Sequence, residues 1–267
     1  MRVILLFTIA GYLLPILFSI ITSFKTNTEF YQNTWGLPKK LLFKNYVDAF
    51  QIGHIGDYFL NSVIISVFSL ILIQVISLLM AYALARMKIP YAEIVLLLLL
   101  VIQVLPTEST VIPLYIMVAK SGIINSPYFT IILAYVGWSV PGTTIIMKNY
   151  LKTLPEDLLE AARIDGSGEL QTMVRIILPL MKGAMATCFV FNFTFVWGEL
   201  MWAQIATLLS DKGIPLTVGL LNFQGTYSTN WPMLAAAICM VAIPLFVAFL
   251  FLQKYLVSGL TAGSVKG

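Results

Sequence analysis

YFLNSVIISVFSLILIQVISLLMAYALA, Tyr58 to Ala85, runs for 28 residues without a Lys, Arg, Asp or Glu. At 1.5 Å rise per residue, about 20 apolar residues cross a hydrocarbon layer of about 30 Å, so this stretch is a membrane span with length to spare. Val3 to Phe24 and Ser121 to Met147 are also free of charge and long enough to cross. The composition agrees: of 267 residues 59% are hydrophobic and 10% charged, with a mean hydropathy of +0.91. A soluble domain carries about 25% charged residues, and this chain has too little polar side chain to clothe a globule.

Three more spans complete the count, one that begins after Glu93 and continues past Glu108 to about Val118, one from Pro179 to Ala206, and one from Pro232 to Gln253 after a stretch rich in Gly, Pro, Asn and Thr. The sequence therefore predicts an all-α polytopic membrane protein, a single domain of six transmembrane helices near 3–23, 57–84, 91–118, 124–148, 179–206 and 232–253. Only helices or closed barrels satisfy backbone groups in lipid, and the alternating ten-residue segments of a barrel are absent. An even number of spans puts both termini on one side. With the termini inside, ten basic residues fall in inner segments against six in outer ones, which favours both termini in the cytoplasm of a multi-pass cell-membrane protein. The N-terminal stretch reads as a retained first span rather than a cleaved signal peptide, and Arg2 alone before it leaves open whether the true start lies upstream.

The net charge of +4 could suggest nucleic acid, but the basic residues form no patch between aromatic platforms, so no nucleic-acid partner is expected. Cys188 and Cys239 sit in hydrophobic stretches, and His54 is the single histidine, with no thiol or carboxylate cluster beside it. No metal site, cofactor or disulfide is implied, and no spaced Ser, His and Asp set points to an enzyme.

One inner connection stands apart. Lys148 to Leu178 is polar and holds roughly a third of all charges in the chain. Within it, KTLPEDLLEAARIDGSG reads as a helix of three turns: Pro155 suits a first turn, Glu156 and Asp157 complement the dipole, and Gly166 can take the left-handed conformation that ends it. Leu158, Leu159, Ala161 and Ala162 form a small apolar strip. A helix lying on the inner leaflet usually carries excess Lys and Arg with large apolar residues, whereas this one starts acidic, so a protein groove is the better partner.

The run EAARIDGSGELQTMVRIILPL, Glu160 to Leu180, resembles the cytoplasmic EAA loop of permease subunits in binding-protein-dependent ABC importers. The matching positions are Glu160, Ala161, Ala162, Gly166 and Ile176 to Pro179. The resemblance extends to SFK after the first span, FLNSVIIS, VLPTESTVIPLY and the tail LTAGSVKG, which look like the carbohydrate branch, closest to the smaller permease of maltose-type importers. It implies a type I permease fold and a cytoplasmic loop 149–178 that docks on a separate ATPase, with Glu160, Ala161, Ala162, Asp165, Gly166, Leu178 and Pro179 as coupling residues. It also implies a second homologous permease, two copies of the ATPase, and an extracytoplasmic sugar-binding protein met by Leu221, Asn222, Phe223, Gln224 and Gly225. The tail would touch the ATPase dimer. The chain contains no Gly-Lys followed by Ser or Thr, hence no P-loop, so ATP would be hydrolysed by the partner.

Charge at bilayer depth is costly and often functional, which singles out Glu108, between Pro106 and Pro113, and Glu199. Either can bind a proton in a secondary carrier or hydrogen-bond a neighbouring helix or subunit. Asn192, Trp197, Trp138 and Trp202 have the chemistry to line a sugar path and equally the chemistry to pack a bundle. Glu108, Asn192, Trp197 and Glu199 are taken as translocation-path candidates. The function expected is a permease for sugars or oligosaccharides, the alternatives being an ABC permease for another solute or a proton-coupled carrier.

Overall fold

The computed structural model describes residues 2–210, 212–224 and 229–262, with side chains described outside 2–3, 163, 252 and 254–262. The helices are α1 (Arg2–Ser23), α2 (Asn27–Gln32), α3 (Lys44–Ile52), α4 (Ile55–Arg86), α5 (Ala92–Val104), α6 (Thr107–Lys120), α7 (Pro127–Leu151), α8 (Asp157–Ile164), α9 (Glu169–Thr172), α10 (Leu178–Leu180), α11 (Lys182–Gly198), α12 (Met201–Ala206), α13 (Leu216–Gly219) and α14 (Trp231–Ala262). Among the described residues there is no strand, only an isolated bridge between Gln224 and Thr229. The fold is all-α.

Four helices are each long and apolar enough to cross a membrane: α1, α4, α7 and α14. Two bent pairs bring the number to six if each pair is one span, α5 with α6 and Glu169–Leu180 with α11. The single helix expected over 91–118 is thus two, meeting at 102°. The cause is local. Leu105 precedes a proline and is pushed out of the helical region (φ −69°, ψ 124°), and Pro106, also extended, has no N–H to continue the ladder. The span expected over 179–206 is interrupted twice. Met173–Ile177 widens into a π turn ahead of Pro179, which cannot bond the carbonyl four residues back, and the chain bends by 77° into α11. At Glu199 the backbone turns extended again (φ −66°, ψ 132°) before α12 restarts it. The coupling helix expected to have three turns is eight residues, α8.

The chain forms two compact units, Met1–Val63 with Ser210–Phe246, and Ile64–Leu209 with Val247–Gly267. In the second unit a core of Leu78, Tyr82, Met147, Leu151, Ile177 and Met181 is joined by Leu159 of α8. In the first unit α1 carries apolar side chains on every face and its spanning stretch buries none of them against this chain: Phe7 is 83% and Tyr12 77% exposed. Such a helix is solvated by lipid or by another subunit.

The first unit is fastened by Lys25, which is 1% exposed. Its Nζ donates to the carbonyl oxygens of Asn33 (3.0 Å) and Thr34 (2.7 Å), while Asn45 Nδ2 donates to the carbonyls of Ser23 (2.7 Å) and Lys25 (2.8 Å). Burial pulls the ammonium below its ordinary pKa, opposed by nearby Glu29. Phe24 adds ring contacts with Phe43 and Tyr46 at 5.1 and 5.4 Å. Replacing Lys25 by Met keeps the stem and removes the donors. Leaving two carbonyls without them costs about 2 kcal/mol, and amide hydrogen exchange across residues 33–42 should quicken by tenfold or more; unchanged exchange would show that the loop is held by something else.

Candidate functional site

Arg86 ends α4, and its side chain is only 6% exposed. A guanidinium taken out of water needs acceptors, and the end of a helix has carbonyls without intrahelical partners. Arg86 Nη2 donates to the carbonyls of Leu151 and Leu154, where α7 finishes, and Nη1 lies 3.5 Å from Glu156 Oε1. One turn earlier on the same helix, Tyr82 donates its hydroxyl to Glu169 Oε2. Two residues of α4 therefore hold both ends of the loop that carries α8. Neither was among the residues singled out in the sequence. Their signal was the i, i+4 spacing of a Tyr and an Arg at the end of an apolar helix.

Between these ties α8 divides its strip. Leu159 and Ala162 are buried toward the chain's own core, while Leu158, Ala161 and Ile164 are exposed, with Glu160, Asp165 and Gly166 beside them. The apolar strip expected as one face is thus two, an anchoring face and an open one. Gly166 takes φ +75°, and the Ser167 N–H reaches back to the Ala162 carbonyl at 2.9 Å, the six-to-one bond of a Schellman stop. Leu178 is half-buried and Pro179 exposed, beyond the π turn.

The in-membrane candidates separate. Glu199 Oε1 accepts from the Trp202 N–H (2.7 Å), and Oε2 from the Ala203 N–H (3.1 Å) and the Tyr135 hydroxyl (2.8 Å). It caps α12 and ties it to α7. Glu108, in the first turn of α6, is exposed. Both line a cavity of about 520 Å³ with Thr107, Trp138 and Phe195. A neighbouring cavity of about 440 Å³ shares those last three residues and adds Gln103, Thr143 and Asn192. Asn192, buried, donates to Thr143 Oγ1 at 2.9 Å. Trp197 does not line either cavity; it is buried, its ring 5.5 Å from Phe193. Trp202 is fully buried and donates to the Thr130 carbonyl at 3.3 Å. Gln103 was not singled out either, although a lone amide in LLLLLVIQVLP is the kind of residue that marks a hydrated face. Its side chain lies over Gly142, where a Cβ would collide with it.

In the first unit, the residues expected to meet a binding protein have different positions. Phe223 is buried against Gly53, where any Cβ would strike its ring. It anchors the loop and is not on its surface. Asn222 is exposed and donates to the Tyr58 hydroxyl at 2.9 Å, Gln224 is exposed, and Leu221 is half-buried. Gly225 lies outside the described residues, as does the tail from Gly263 onward.

These features have relatives. Residues 73–261 match the family model described as binding-protein-dependent transport system inner membrane component. The chain is 34% identical over 258 residues to the melibiose/raffinose/stachyose import permease protein MelC of Bacillus subtilis (strain 168), covering 96% of this chain and 92% of that one. It is 32% identical to the arabinooligosaccharides transport system permease protein AraQ of the same strain, over 96% of this chain and 91% of that one. The diacetylchitobiose uptake system permease protein NgcG of Streptomyces coelicolor is 29% identical, over 95% and 84%. Among solved structures, a chain of a bacterial ABC transporter involved in the import of the acidic polysaccharide alginate superposes with a TM-score of 0.82 at 21% identity, over 96% of this chain and 94% of that one, and so has the same fold. The chain is an integral membrane protein and belongs to the family of inner membrane components of binding-protein-dependent transport systems.

Proposed function

We propose that this chain is a permease subunit of an ATP-driven importer for sugars or oligosaccharides, paired with a second, homologous permease and driven by two copies of a separate ATPase. Its termini face the cytoplasm of a cell membrane, and cargo comes from an extracytoplasmic binding protein. The carrying observation is α8: a short helix tied at both ends, anchored by Leu159 and Ala162 and presenting Leu158, Ala161, Ile164 and Glu160 to a partner. An exposed apolar edge at the end of a polar loop is an expense in water unless a second protein covers it. The saccharide assignment rests on relatives named for melibiose, raffinose and stachyose import, for arabinooligosaccharide transport and for diacetylchitobiose uptake.

In this reading, closure of the ATPase pair moves α8 as a stiff lever. Arg86 and Tyr82 carry that displacement to α4, while Leu178 and Pro179, past the π turn, carry it to α11. Leu221, Asn222 and Gln224 remain the candidates for binding-protein contact, with Phe223 setting the loop's posture. The proton-coupled alternative loses ground because both oxygens of Glu199 are engaged in capping α12 and holding Tyr135.

Two outcomes are expected. In the purified complex with its binding protein, at least one sugar from a panel of neutral oligosaccharides should raise the ATPase rate severalfold; if none does, the saccharide assignment fails. Gly166→Val places a β-branched residue at φ +75°, a strain of about 1–2 kcal/mol. The variant should insert and co-purify normally yet lose most sugar transport in proteoliposomes, and full transport would remove α8 from the coupling path.

A further inference from the structure

We infer that the cavity lined by Glu108, Trp138, Phe195 and Glu199 is a saccharide subsite of this subunit that accepts uncharged sugars and turns away acidic ones. The inference rests on the reading of the chain as a saccharide permease and adds the charge class of the ligand. Its first support is the backbone. The chain leaves helical geometry at Leu105–Pro106 and again at Glu199–Leu200, and both breaks lie in the walls of the adjoining cavities. Non-helical backbone at bilayer depth persists only inside protein or beside water. Two breaks in the walls of two cavities that share Thr107, Trp138 and Phe195 mark a hydrated path.

The walls have the chemistry of a sugar site. The Trp138 and Phe195 rings stand edge to face, 6.4 Å apart at 81°, forming an aromatic corner against which the C–H face of a pyranose can stack. Trp138 is held in place because its Nε1 donates to Thr110 Oγ1 at 3.1 Å. Thr107, Gln103 and Asn192 offer hydroxyl and amide groups at the corner's edge. The charges on these walls have one sign. Glu108 and Glu199 line the space, and among the described residues none that lines it is Lys, Arg or His. Glu199 is fixed there by three donors, and Glu108 projects from the first turn of α6. At an effective dielectric near 20, a uronate carboxylate about 8 Å from one such charge is disfavoured by roughly thirtyfold before salt screening. A neutral hydroxyl instead finds acceptors. The same fold occurs in a chain of a transporter involved in the import of an acidic polysaccharide, so the helix arrangement by itself does not set a charge preference.

The test uses the full complex in nanodiscs without its binding protein, titrated at low salt with raffinose and, separately, with trigalacturonate, and read by saturation-transfer NMR and tryptophan fluorescence. Raffinose should bind at least about tenfold more tightly than trigalacturonate. Glu108→Gln, which leaves Glu199 in the wall, should narrow the preference by at least about threefold, and Trp138→Ala should abolish raffinose binding while the subunits still co-purify. Equal affinities in the unaltered complex, a preference unchanged by Glu108→Gln, or raffinose binding that survives Trp138→Ala and so belongs to the partner permease, would each overturn the subsite. None of these results touches sugar-stimulated ATPase activity, whose absence would overturn the broader function instead.

Discussion

A buried guanidinium at the inner end of a long helix organises the second unit. The Arg86 guanidinium cannot sit nearly out of contact with water unless acceptors come to it, and the carbonyls of Leu151 and Leu154 cannot be left bare where α7 ends. The positive charge also suits the negative end of the α7 dipole. Each group answers the other's need, and the result is that α4 and the start of the loop after α7 cannot move independently. With Tyr82 on Glu169 and Leu159 in the core, the loop that carries α8 is tied at both ends. Its outer face remains open to a partner.

A different constraint shapes the membrane-embedded part. Apolar length supplies spans, but proline and an extended glutamate interrupt two of them, and interrupted backbone has to be satisfied. The solution at Glu199 is internal: its carboxylate takes the first free N–H groups of α12 and the hydroxyl of Tyr135. A charge that could have served proton transfer instead stabilises a helix start, and in doing so leaves a negative wall beside Trp138. Stability and selectivity are in this account consequences of the same residue.

Much of this was legible in the sequence because it follows from short-range rules. The spans follow from charge-free length, the end of α8 from Gly166, and the acidic first turn from Glu156 and Asp157. The 102° bend was not read, although Pro106 was in view, because a proline within an apolar run permits either a kink or a break and only packing decides between them. The role of Phe223 depended on a neighbour far away in the chain: an aromatic in a Gly-rich loop looks like a contact residue until Gly53 turns out to be the space it fills. Tyr82 and Arg86 escaped notice for the same reason, since their partners come after two further spans.

The central claim is that displacement of α8 reaches the spans through α4. It is tested most directly by the ratio of ATP hydrolysed to sugar delivered in proteoliposomes containing the complex with both Arg86→Met and Tyr82→Phe. With subunits assembling at normal stoichiometry, hydrolysis should continue while delivery falls about tenfold or more, the effect of losing roughly 1.4 kcal/mol of coupling. A ratio equal to that of the unaltered complex would mean that α8 acts on the spans by another route.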